Sequence, residues 1–119
     1  LHCCGSHVPV EVLARSGPDA LALDVTRLGA QEWEALAPVI EAGIDLWAGA
    51  VPTTGSGASA LGDFADLVLV PWSRLGLSAG LLTGVVVTPA CGLGGSTIGV
   101  ARTVLRQVRQ IAGILAEAV

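Results

Sequence analysis

His2, Cys4, Asp24 and Cys91 are the side chains of this sequence best suited to hold a metal together. Side chains two apart on a strand point to the same side, so His2 and Cys4 are expected to face one way and Cys3 the other. Asp24 closes a second apolar strand and Cys91 follows a later one. Two sulfurs, one imidazole nitrogen and one carboxylate suit tetrahedral Zn²⁺. The competing reading is a histidine beside thiols buried in the core, since free cysteine often packs as a small hydrophobe. The chain has three cysteines, an odd number, and Cys3 and Cys4 are adjacent. A disulfide framework is therefore not expected, and metal binding or the free thiols of a cytoplasmic protein fit better.

Strand and helix signals alternate along the chain in a way that can position these groups. Leu1 to Cys4 reads as a strand end, and Val8 to Arg15 as a short helix with Pro9 in its first turn, where a missing N–H costs nothing. Ala20 to Val25 is an apolar strand. Ala30 to Ala42 is a helix with Trp33, Leu36 and Ile40 on one face, Pro38 as a kink and Gly43 as a stop. Ile44 to Ala48 is a third strand, ahead of a Gly/Thr/Pro-rich loop from Gly49 to Gly57. Ala58 to Leu75 is helical in pattern, with Pro71 breaking it or restarting a turn. Gly84 to Thr88 is a β-branched strand. Ser96 or Thr97 then caps a long helix whose apolar stripe is Val100, Val104, Val108, Ile111 and Leu115.

Strand then helix, four times over, predicts an α/β fold with a parallel sheet. Four such units make half of a TIM (β/α)8 barrel, here residues 1–119. An open doubly wound sheet would call for a phosphate-binding glycine loop after the first strand, and Gly5-Ser6-His7 is a poor one. Barrel enzymes build their sites where strands end, which is where His2, Cys4, Asp24, Asp45 and Cys91 are expected.

Composition points the same way. The chain is 52% hydrophobic and 13% charged, against roughly 25% charged in ordinary soluble domains. Such a surface is expected to be covered in part, by the N-terminal half of the barrel or by self-association. A net charge of −4, with no basic stripe and no stacking aromatics, argues against nucleic acid. No apolar run approaches the roughly 20 residues that cross a bilayer, so no membrane partner is expected.

His2-Cys3-Cys4, then Pro18-Asp19-Ala20-Leu21-Ala22-Leu23-Asp24, then Thr88-Pro89-Ala90-Cys91-Gly92-Leu93 resemble the C-terminal domain of cobalamin-independent methionine synthase. The resemblance runs through nearly the whole chain in order and spacing. It implies that His2, Cys4, Asp24 and Cys91 hold a catalytic zinc. It also implies a zinc-dependent methyltransferase that moves a methyl group from a folate-like donor to a homocysteine-like thiol, without a cobalamin intermediate. The wider superfamily adds corrinoid-linked methyltransferases as an alternative, and a non-catalytic zinc-binding relic is a third. Three departures stand out, one being that the family's residues for the homocysteine amino group and the folate lie mostly upstream of this chain. The family's carboxylate ligand is usually Glu, and Asp24 is one methylene shorter. The family's Asp-x-His proton-transfer motif aligns with Asp45-Leu46-Trp47, and an indole cannot shuttle a proton.

Other polar residues carry weaker expectations. His7 reads as a surface loop residue or a stand-in base. The Gly49–Gly57 loop reads as a connector or a substrate lid, with Thr53, Thr54 and Ser56 able to bond a carboxylate. Gly92, Gly94 and Gly95 resemble an anion nest ahead of a helix, although tight packing around Cys91 explains them more simply. Arg102, Arg106 and Arg109 read as a solvated helix face.

Overall fold

A computed structural model describes residues 1–53 and 61–119. It contains strands β1 (His2–Cys3), β2 (Ala20–Asp24), β3 (Asp45–Val51) and β4 (Val86–Pro89). The α-helices are α1 (Val10–Arg15), α2 (Ala30–Glu41), α3 (Leu61–Arg74) and α4 (Ile98–Glu117), with short 3-10 turns at Val25–Arg27 and Ala79–Gly84. The strands form one parallel sheet in the order β1-β2-β3-β4. The α/β fold is as expected, and it is consistent with half of a (β/α)8 barrel. A doubly wound sheet reverses its strand order so that helices cover both faces. This sheet does not reverse, and successive right-handed crossovers then put every helix on one face.

Burial follows that rule. Leu21, Leu23, Leu46, Ala48, Ala50 and Val87 point to the helix side, where they join Trp33, Leu36, Ile40, Phe64, Val68, Trp72, Val104, Ile111 and Leu115 in one core. The alternate residues line the other face. There the register sets His2, Ala22, Trp47 and Val86 side by side in one row. Trp47 and Val86 are each 45% exposed, far above the core residues beside them. The apolar strands suggested cover on both faces, whereas the chain itself supplies cover on one.

Several boundaries move for local reasons. Gly49 to Val51 belong to β3, not to the following loop, because their backbone still pairs with β4. From Thr54 onward that loop, with Ser56 and the expected start of the third helix, lies outside the described residues. Pro38 sits inside α2 on an exposed position, where water can satisfy the carbonyl it frees. Pro71 likewise lies within α3 and does not break it. At the start of α2 the Glu32 carboxylate accepts the Gly29 N–H at 3.0 Å. Thr97 is the cap of α4, its hydroxyl accepting the Val100 N–H at 3.2 Å. Among the described residues, no helix is long and apolar enough to cross a membrane.

The outer edges of β1 and β4 have no strand partner among the described residues. Exposed edges next to a half-apolar face are templates for association. The 119-residue chain is therefore expected to self-associate in a concentration-dependent way. Light scattering coupled to size exclusion checks this, and a strictly monomeric profile across a wide concentration range would contradict it.

Candidate metal centre

The site is assembled where the parallel strands end. Leu1 ties β1 into the sheet: its carbonyl accepts the Ala22 N–H at 2.7 Å, and its amino group donates to the Ala20 carbonyl at 2.9 Å. His2 and Cys4 then follow on the side away from the helices, while Cys3 packs against the core. Cys91 comes from the opposite edge of the sheet, just past β4. It reaches β1 because the chain after Pro89 folds inward over β3. The Ala90 N–H donates to the Val51 carbonyl at 2.8 Å. Gly49 allows the approach, since a Cβ built on it would lie 2.9 Å from the Ala90 Cα and 2.9 Å from the Leu23 carbonyl oxygen. Farther on, the Ser96 hydroxyl donates to the Thr53 carbonyl at 3.2 Å and holds the start of α4 against the end of β3.

Gly49→Ala is accordingly expected to destabilise the fold by about 1–3 kcal/mol, the usual range for overpacking, and to displace the Cys91 segment. Denaturant unfolding and metal titration of the variant check both effects. Unchanged stability together with unchanged affinity would mean that Ala90 does not depend on this gap.

One ligand atom from each of His2, Cys4 and Cys91 comes together, all lying within 4.8 Å of one another. The Cys91 thiol donates to the Cys4 sulfur at 3.4 Å. Two sulfurs at about 2.3 Å from a tetrahedral zinc stand about 3.8 Å apart, so the pair is within a few tenths of an ångström of a ligating separation. His2 and Cys91 are exposed and Cys4 is half-buried. The donor set fits a borderline-soft ion such as Zn²⁺ better than a hard cation that prefers oxygen. If an ion that favours four ligands were bound, these three side chains would leave its fourth ligand to come from solvent or another molecule.

The thiols must lose their protons to bind. The hydrogen bond with Cys91 raises the Cys4 pKa above the ordinary thiol range, and repulsion between the two sulfurs adds to the effect. A raised pKa keeps the proton on Cys4 at neutral pH, so protons compete with the metal. Metal affinity is expected to climb as pH rises, by up to about tenfold per pH unit for each proton displaced. Chelator competition at several pH values checks this, and a flat profile would mean that no thiol proton is released.

Asp24, expected as the fourth ligand, is not part of this group. It ends β2 with its carboxylate buried, and local partners occupy it. One oxygen accepts the Thr26 N–H at 3.0 Å and also the Thr26 hydroxyl, and the other lies 3.4 Å from the Arg27 guanidinium. A short side chain bonded to its own turn caps that turn instead of reaching across the site. Asp45 is also displaced from expectation. It pairs with Ala20 at the start of β3, the end of the sheet remote from the metal ligands. His7 is exposed and has a left-handed φ of 55°, as a loop residue rather than a member of the cluster.

No protein-family model matches the chain, and comparison with curated proteins and with solved structures gives no match. The metal-binding reading therefore stands on the three converging side chains themselves.

Trp47 lies two strands from His2 in the same row, with Ala22 between them. Below the ligands, an open hollow of about 670 Å³ is lined by Leu1, His2, Asp19, Ala20, Ala22 and Trp47. His2 is thus shared between the ligand group and the hollow. Gly49 is the site residue that sequence reasoning missed. Its only signal was a glycine directly following an apolar strand, which a loop explains equally well.

Proposed function

We propose that this chain forms the metal-bearing half of a zinc-dependent barrel methyltransferase whose acceptor is a thiol of the homocysteine type. The observation that carries this reading is the meeting of His2, Cys4 and Cys91 at the C-terminal end of a parallel sheet. These three are among the four residues, Asp24 being the other, that the resemblance to cobalamin-independent methionine synthase implies as zinc ligands. His2, Cys4 and Cys91 would hold the ion and leave one position facing solvent. Zinc bound there would lower the pKa of an incoming thiol and keep it as a reactive thiolate near neutral pH.

The protein's own groups supply the rest. The hollow runs from His2, Ala22 and Trp47 toward Pro18, Asp19 and Ala20 at the start of β2, so only its near end, at Ala22 and Trp47, would flank a thiol held beside His2. Trp47 contributes a flat apolar wall and one N–H donor. The methyl donor, of the folate type, would approach from the face that the helices leave uncovered, where the other half of the barrel is expected.

X-ray absorption of the zinc-loaded protein tests the ligand set, with Zn–S scattering expected near about 2.3 Å. Transfer of labelled methyl from a methylfolate to homocysteine, with the barrel complete, tests the reaction. Zinc ligation without methyl transfer to any thiol would leave a non-catalytic metal site. Trp47 favours that second reading, because the resemblance implies a proton-transferring histidine at its position and an indole cannot take that role.

A further inference from the structure

We infer that Cys4 and Cys91 form a reversible disulfide, and that this modification switches off the metal centre. The two sulfurs lie 3.4 Å apart, in direct hydrogen-bond contact. A disulfide requires about 2.05 Å, so closure moves the sulfurs together by little more than an ångström. Neither cysteine is in a strand or helix: Cys4 follows β1, and Cys91 lies in the bend after β4. Both backbones can therefore adjust without breaking the sheet. Cys91 is exposed and Cys4 half-buried, so a small oxidant can reach the pair. Cys3 is packed against the core on the opposite side of the strand and serves as an internal control.

The oxidant is a peroxide. It converts one thiol to a sulfenic acid and releases a water as its O–O bond breaks. The second thiol displaces the hydroxyl of that sulfenic acid, the S–S bond forms and a second water leaves. Two electrons pass from the sulfur pair to the peroxide. The product has lost both sulfur ligands at once, and His2 alone cannot retain the ion. A dithiol reductant returns the two thiols and, with them, the site. The disulfide needs only the sulfur pair, whereas its role as a switch rests on the metal reading.

The full chain is tested in its metal-free and zinc-loaded forms with hydrogen peroxide, followed by peptide mapping, thiol counting and a zinc-sensitive dye. The expected result is a Cys4–Cys91 crosslinked peptide, a fall from three free thiols to one with Cys3 still free, and release of the bound zinc in step with crosslinking. Dithiothreitol is expected to restore both thiols and zinc binding. Cys3→Ala should behave as the parent, and Cys91→Ser should give no intramolecular crosslink. Circular dichroism, with Cys4→Ala as a second variant, separates loss of the pair from loss of the fold. Crosslinks through Cys3, or two cysteines that stay reduced while other sites overoxidise, would overturn the proposal. A Cys4–Cys91 crosslink in a protein that never binds zinc would sustain the modification and overturn the switch, and with it the metal reading. Zinc binding without the crosslink would overturn only the disulfide.

Discussion

Cys4→Ser and Cys91→Ser each lose metal binding, whereas Cys3→Ser keeps it. This is the expected outcome of a zinc titration across the three variants. Removing a group that merely orients a ligand typically costs 10- to 100-fold in affinity, and each of these substitutions removes a ligand itself. The loss is therefore expected to exceed about 100-fold. The prediction depends on which way each side chain faces. Cys4 and Cys91 meet at 3.4 Å on the side of the sheet away from the helices. Cys3 is adjacent to Cys4 in sequence, yet it packs against the buried core. Serine keeps the size and hydrogen-bonding ability of the residue and removes only the soft sulfur donor, so a fold defect should not mask the result. Equal affinity in all three variants would show that the sulfur cluster holds no metal.

Trp47→His is expected to raise methyl transfer from a folate donor to homocysteine, or to change which donor is used. A positioned general acid or base typically contributes about 10²- to 10⁴-fold, and an imidazole titrates in the range where an indole does not. Trp47 is well placed for this gain. It shares a row with His2, borders the hollow beneath the ligands and is 45% exposed, so a smaller polar ring can be accommodated without opening the core. The assay is single-turnover transfer of labelled methyl with zinc bound and the barrel complete, comparing parent and variant. Zinc bound equally by both proteins, with no transfer to any thiol in either, would remove the enzyme reading and leave the metal site as a non-catalytic one.

Much of this molecule is determined by its sequence alone. Apolar strands alternating with amphipathic helices specify a parallel α/β sheet, because each element must bury its apolar side against the next. Val104, Ile111 and Leu115 lie at helical spacing and are buried on one stripe of α4, while Arg102, Arg106 and Arg109 stay exposed. The two-residue periodicity of a strand likewise separates Cys3 from His2 and Cys4. Those features are local, and local spacing is what a sequence records directly.

Tertiary structure decided the rest. Cys4 and Cys91 are separated by 87 positions and come from opposite edges of the sheet. Their meeting depends on the chain after β4 folding over Gly49, a close backbone approach that no spacing rule encodes. Asp24 stands in sequence where a ligand was expected, but Thr26 and Arg27 engage its carboxylate within its own turn. Asp45 reads as a strand-end residue until the register with Ala20 puts it at the remote end of the sheet. A local turn bond decided the outcome for Asp24, whereas strand register and a close backbone approach decided it for Asp45, Cys4 and Cys91, and those exist only in the folded arrangement.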